Sequence, residues 1–264
     1  MAYFKYNDKK IYYVEFGKGE PLIFLHGNTA SSNMFLEVTN NYTDNFKVIL
    51  IDFLGHGKSD RLEVFPTDLW FDEAMQVITF LREKQYEKVN IIGSSGGALV
   101  AINIALEAPK LVSKIIVDSF EGEVPLKSFT TNLITDRKLS KNNKDLRLFY
   151  QYMQGDDWES IVDKDTSAII LHAQKIGKFF HKDLQDFLPD ILMTGSKQDE
   201  FFVNVTSNYL ENTYEKMLEK IGHGKMYLFD CGGHPSMLTN AEEFAALAKD
   251  FYYKIEIFVL LNRK

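Results

Sequence analysis

A chain of 264 residues, 45% hydrophobic and 25% charged, has ordinary globular composition, which argues against disordered and collagen-like classes. Its formal net charge is −7 and it has no clustered Lys or Arg, which removes the basis for a nucleic-acid partner. No apolar run approaches the roughly 20 residues of a membrane helix. A lone cysteine, Cys231, allows no internal disulfide, and the charged, aromatic start has no apolar signal segment, so a cytoplasmic protein is expected.

The chain opens with two alternating segments, "FKYNDK" and "KIYYVEFG", with Asn7-Asp8 as the turn of a hairpin. Short apolar runs then recur, each ending in small or polar residues: "PLIFLHG", "FKVILIDFLGHG", "KVNIIGSS", "VSKIIVDSF", "PDILMTGSKQD" and "KMYLFDCGGH". Continuous Ile, Val, Leu and Phe over so few residues suits parallel strands buried on both faces. Helical patterns lie between them. "DLWFDEAMQVITFLREKQ" follows Thr67 as N-cap, and "GALVAINIALEA" is apolar nearly all round and stops before Pro109. "VTSNYLENTYEKMLEKI" and "NAEEFAALAKDFYYKI" complete the set. Strand alternating with helix predicts an α/β fold, a mostly parallel central sheet with helices on both faces. Between "IIVDSF" and "DILMTG" no strand appears. Residues 121–187 therefore read as an inserted helical cap, with charged segments such as "DRKLSKNNKDLR" and helical patterns around "LRLFYQYMQ" and "SAIILHAQKIGKFF". The core is then 1–120 and 188–264.

The run "NIIGSSGGALVAI" carries the chemistry. At a strand-to-helix nucleophile elbow the serine sits in a strained turn, and residues two positions either side must be small because strand and helix converge there. Ser95 has Gly93 and Gly97 at those positions, whereas Ser94 would put Ile92 at one of them. Ser95 is therefore the expected nucleophile. A base and an acid should follow in the order Ser, acid, His. His234, in "LFDCGGHP" at the end of the last strand, is the base, and Asp199, just beyond the penultimate strand, is the acid. Asp118, which also ends a strand, is the reserve for that role. The oxyanion hole is assigned to the backbone N–H groups of Gly96 and Asn28, with Gly27 giving room for the turn. Of the other histidines, His56 reads as loop packing, His223 as lying at the wrong end of the sheet, and His172 and His181 as surface or pocket-lining residues of the cap. No ligand cluster such as H-E-x-x-H or paired C-x-x-C occurs, so no metal or cofactor is implied.

In order along the chain, "HGN", "DFLGHGKSD", "GSSGGA", "GSKQDEF" and "CGGHP" resemble the α/β-hydrolase superfamily in its single-domain, cap-bearing branch. The resemblance implies that Asp52, Gly55, Gly57 and Ser59 shape a loop near the site. The "HGNTASS" loop also looks like that of haloalkane dehalogenases, but those carry an aspartate at the elbow where this chain has Ser95. The C–C bond hydrolases, with glycine-rich oxyanion loops, fit less well. The expected activity is a serine hydrolase of the carboxylesterase or lipase type, cleaving an ester-like bond through an acyl-enzyme. Its partner is a small-molecule substrate with an apolar acyl group, lodged against some of Phe149, Tyr150, Tyr152, Met153, Trp158, Phe179 and Phe180. Two alternatives stand beside it: a hydrolase-fold ligand sensor with little turnover, and an iminopeptidase-like peptidase, for which no acidic pair to hold an amine terminus is visible.

Overall fold

The computed structural model describes residues 2–253. The hairpin forms from β1 (Ala2–Tyr6) and β2 (Lys9–Phe16). Asn7 and Asp8 both take positive φ, at 48° and 64°, the geometry that a two-residue hairpin turn requires. Six further strands follow: β3 (Glu20–Leu25), β4 (Phe46–Ile51), β5 (Val89–Ser94), β6 (Val112–Asp118), β7 (Asp190–Ser196) and β8 (Lys225–Phe229). The sheet order is β1-β2-β4-β3-β5-β6-β7-β8. β2 runs antiparallel to β1 and β4, and every pairing from β4 through β8 is parallel.

The apolar runs are continuous because both sheet faces are covered. In β3, Ile23 and Leu25 join one core cluster while Leu22 and Phe24 join the other; β4 divides Ile49 and Ile51 from Val48 and Leu50 in the same way. One face is covered by α1 (Leu69–Glu83), α2 (Gly96–Glu107) and, beyond the insertion, α6 (Tyr209–Ile221). The other is covered by α8 (Ala241–Tyr253), behind the short α7 (Ser236–Thr239). Lys254 and Ile255, the end of the last predicted helix, lie outside the described residues. The insertion between β6 and β7 is helical: α3 (Lys127–Asn142), α4 (Lys144–Gln154) and α5 (Trp158–Lys175). Among the described residues, no helix is long and apolar enough to cross a membrane.

Several expectations need correction. Asp68 rather than Thr67 occupies the N-cap of α1, and it makes no side-chain cap bond. Its carboxylate turns instead to His181, while the Thr67 carbonyl lies 3.2 Å from His172 Nδ1. α6 begins at Tyr209, four residues later than its apolar pattern, because Asn208 adopts a left-handed conformation that breaks the helix. α3 extends through a segment with no readable apolar face, and Leu133 is its one buried residue. α5 starts earlier than its pattern and ends at Lys175, leaving Phe179 and Phe180 outside the helix as buried packing residues.

Candidate active site

In a parallel sheet, the loops at the carboxyl ends of neighbouring strands share one edge, and ligands bind there. Here that edge receives His26-Gly27-Asn28 after β3, Asp52 after β4, Ser95 after β5, Asp199 after β7 and the loop carrying His234 after β8. Ser95 sits at φ 55°, ψ −122°, a strained conformation for a residue with a side chain. The turn is this tight because a Cβ on Gly93 would run into the Gly97 carbonyl, and one on Gly97 into the Leu25 carbonyl. That is the physical content of the two glycines. Ser94, by contrast, is fully buried, and its Oγ has no hydrogen-bond partner among the described residues.

The structure brings Ser95, His234 and Asp199 together. Ser95 Oγ lies 3.0 Å from His234 Nε2, and His234 Nδ1 lies 2.8 Å from Asp199 Oδ2. With the proton on Nδ1, the imidazole donates to the carboxylate and leaves Nε2 to accept from the serine hydroxyl. Asp199 is fully buried, and its Oδ1 accepts the Phe201 N–H at 3.0 Å, so the carboxylate is pinned at both oxygens. The His234 loop is held from a second side, where Glu200 Oε2 accepts the His234 backbone N–H at 2.9 Å. The ring of Phe201 meets the imidazole edge-on at 4.6 Å between centroids.

Asp118 lies close enough to feel the charge of His234 but makes its hydrogen bonds elsewhere. Its carboxylate accepts from the Ser236 hydroxyl, from the Thr194 hydroxyl at 2.9 Å and from the Met237 N–H at 3.0 Å. It ties β6 to β7 and to the start of α7. Burial pushes its carboxyl up to about 6 against those donors.

Asn28 and Gly96 line the same cavity as Ser95. Gly96 opens α2, where the first N–H groups have no intrahelical acceptor. A Cβ at this position would collide with the Asn28 side-chain oxygen, which accepts from Trp70 Nε1 at 3.4 Å. The next residue, Thr29, takes φ 57°; its N–H donates to Asp165 Oδ2 at 2.9 Å, and its hydroxyl donates to the Asn28 carbonyl at 2.6 Å. Asp165 belongs to α5, so the inserted helices brace the loop that follows β3. The same Asp165 oxygen meets His56 Nε2 at 3.1 Å, both side chains being buried. His56 is thus a packing residue, as its motif suggested. His26 is another: its Nδ1–H donates to the Gly27 carbonyl and its Nε2 accepts the Phe53 N–H. Burial first, then neighbouring His56, pushes His26 down to about 3, so it stays neutral.

The Asp52 loop is tied to the sheet. Asp52 accepts the Ser32 and Lys58 N–H groups at 2.7 Å each, and the Ser59 hydroxyl donates to the Asp52 carbonyl. Gly57, at φ 50°, lies so close to that carboxylate that a Cβ would collide with it. His223 bonds the Pro189 carbonyl at the opposite edge of the sheet. His172 requires a correction: it is neither on the surface nor in the cavity lining, but buried between Trp70 and Phe179. The residues that sequence reasoning missed are Glu200, Trp70 and Asp165. Each acts through a contact made only on folding, and only Glu200, beside Asp199, left any signal.

Above Ser95 lies a cavity of about 400 Å³ between the sheet edge and the inserted helices, within the usual size of small-molecule sites. Of the seven side chains expected as candidates for its wall, Phe149 and Tyr150 line it. Met153, Trp158, Phe179 and Phe180 are buried in packing, and Tyr152 is exposed. Glu121 also lines the cavity and accepts the Leu126 N–H at 2.7 Å. Burial raises its carboxyl to about 7 from an ordinary 4.5. A carboxyl raised by folding favours the protonated native state below the unfolded value and loses that contribution as pH rises through the folded one. Between about pH 4.5 and 7, Glu121 therefore subtracts stability as it ionises. Glu121→Gln should flatten that decline, read as the difference in melting temperature between pH 5 and pH 8. An unchanged difference would contradict the assignment.

Sheet order, elbow and strand-edge loops define the class: the chain is an α/β-hydrolase-fold protein with a helical insertion after β6. Residues 20–136 match the family described as "alpha/beta hydrolase fold". Among known proteins it is similar to the pimeloyl-[acyl-carrier protein] methyl ester esterase of Vibrio parahaemolyticus, at 23% identity over 91% of this chain and 97% of that one. It is similar also to the 2-hydroxy-6-oxo-6-phenylhexa-2,4-dienoate hydrolase of Comamonas testosteroni, at 25% identity over 93% and 92% of the two chains. An esterase from Exiguobacterium antarcticum has the same fold, with TM-score 0.72 and 21% identity over 95% of this chain and 98% of that one.

Proposed function

We propose that the protein is a serine hydrolase that cleaves a carboxylic ester through an acyl-enzyme, with Ser95, His234 and Asp199 as its triad. The observation that carries the reading is the continuous hydrogen-bond chain from Ser95 Oγ through His234 to the buried Asp199 carboxylate. His234 Nε2 takes the serine proton as Oγ attacks the ester carbonyl. Asp199 keeps Nδ1 protonated and stabilises the imidazolium that forms. The Gly96 and Asn28 N–H groups receive the developing oxyanion, aided by the positive end of α2. His234 then returns the proton to the departing alkoxide, and water, deprotonated by the same imidazole, releases the acid. The inserted helices act as a cap over the acyl group, with residues 121–187 as its span and 1–120 with 188–264 as the core.

Among similar proteins, one is named for methyl ester cleavage and another for hydrolysis of a dienoate. The ester reading is preferred because the loop after β3 continues "NTASSN" rather than a glycine run. A panel of p-nitrophenyl esters of graded chain length tests it, with a vinylogous 2-hydroxy-6-oxo-dienoate as the competing substrate. The expected result is ester turnover with an optimum at short to medium acyl length. Turnover of the dienoate with negligible ester hydrolysis would overturn it.

A further inference from the structure

The cavity roof holds one feature that the triad does not use. Arg137 projects from α3 into the lining, and among the described residues that line the cavity it is the only lysine or arginine. Its Nη1 donates to Tyr150 Oη at 3.0 Å. That bond leaves the other edge of the guanidinium, Nε with Nη2, and this edge is the fork that a carboxylate accepts side-on through both oxygens. Nε is buried and has no hydrogen-bond partner among the described residues. A buried donor left unsatisfied is costly, and an incoming anion relieves that cost.

The surroundings shape what can reach it. Leu126, Phe129, Leu146 and Phe149 line the same cavity and offer an apolar wall. Two carboxyls line it as well, but each is engaged: Glu121 with the Leu126 N–H and Glu200 with the His234 N–H. Tyr150 is buried and its ring stacks on Trp158 at 5.7 Å, which fixes the hydroxyl that orients Arg137.

We infer that Arg137, oriented by Tyr150, binds a carboxylate at the far end of the acyl chain, so that the preferred substrates are monoesters of dicarboxylic acids. This rests on the ester-hydrolase reading of Ser95 and adds the substrate class. The ester carbonyl lies at Ser95, the methylene chain along the apolar wall and the free carboxylate at Arg137. Anchoring on the acyl side holds the chain through both half-reactions, since the alcohol leaves after the first. Ser95 Oγ bonds to the carbonyl carbon as the alkoxide departs with the serine proton, and water then frees the dicarboxylic acid.

The test compares methyl monoesters of linear dicarboxylic acids, from succinate to suberate, with the corresponding dimethyl diesters, which are the same length but uncharged at the far end. At the best chain length the monoester should exceed the diester in kcat/KM by about 10- to 100-fold, as expected of a charge-assisted pair. Arg137→Met should abolish that preference, Tyr150→Phe should reduce it, and Arg137→Lys should recover only part, because an ammonium cannot form the fork. Equal use of monoester and diester by the wild type, or a preference that survives Arg137→Met, would overturn the inference. A second arm measures monoester binding by calorimetry in a Ser95→Ala background, with and without Arg137→Met. Binding that falls at least tenfold with Arg137→Met supports the carboxylate site even where no ester is hydrolysed, and so separates failure of the triad reading from failure of the pocket. Hydrolysis of neutral esters with no effect of Arg137 in either arm would leave the hydrolase reading standing and sink this one.

Discussion

Replacing Ser95 with alanine is expected to lower kcat toward esters by on the order of 10⁶ while leaving the fold intact. The size follows from what is lost. Without Oγ there is no acyl-enzyme, and only the oxyanion donors and binding remain to accelerate direct attack by water. The fold should tolerate the change because Ser95 Oγ points at His234 in the cavity floor and, among the described residues, hydrogen-bonds to nothing else. The turn itself is set by Gly93 and Gly97, where the strand and helix backbones converge. Ser94→Ala is the internal control. Its hydroxyl is buried and unpartnered among the described residues, so removal should be neutral to slightly stabilising and should leave kcat within a few-fold of wild type. Equal losses in the two variants would contradict the choice of Ser95.

The second large effect separates the two aspartates. Asp199→Asn is expected to cost about 10⁴ in kcat, because an amide facing Nδ1 favours the wrong tautomer and fails to stabilise the imidazolium. The 2.8 Å contact with His234 and full burial of Asp199 make it the residue on which the base depends. Asp118→Asn should behave differently. That side chain accepts from two hydroxyls and one backbone N–H, so the amide disturbs a packing junction and lowers the melting temperature with a minor change in kcat. Thermal unfolding and steady-state kinetics on both variants test the ranking. The reverse order would move the acid to Asp118.

Most of the fold was legible because its signals are local. Strand runs of β-branched and aromatic residues, each ending in a polar loop, need no tertiary knowledge, and β3 to β8 all form where those runs lie. The candidate site was legible for a related reason: Gly93 and Gly97 encode a steric demand, and His234 and Asp199 follow strands whose ends share an edge. What escaped depends on contacts between distant segments. α3 offers almost no buried face, so its pattern resembles solvated charge. The Thr67 cap failed because Asp68 and the Thr67 carbonyl are drawn to His181 and His172, more than a hundred residues away. Asp165 supports the turn after Asn28 across a separation of 136 residues, and no periodicity reports such a bond. Arg137 looked like one charge among several in "DRKLSKNNKDLR" until the roof of the cavity gave it a direction.

The central claim is that Ser95 is the nucleophile, and active-site labelling tests it most directly. The wild-type protein is treated with a fluorophosphonate, digested and mapped by tandem mass spectrometry. The account predicts a single phosphonylated site at Ser95, absent from Ser95→Ala and strongly slowed in His234→Ala, with Ser94→Ala labelled at the wild-type rate. Labelling at Ser94 or elsewhere, or no labelling of a folded protein that still hydrolyses esters, would contradict it.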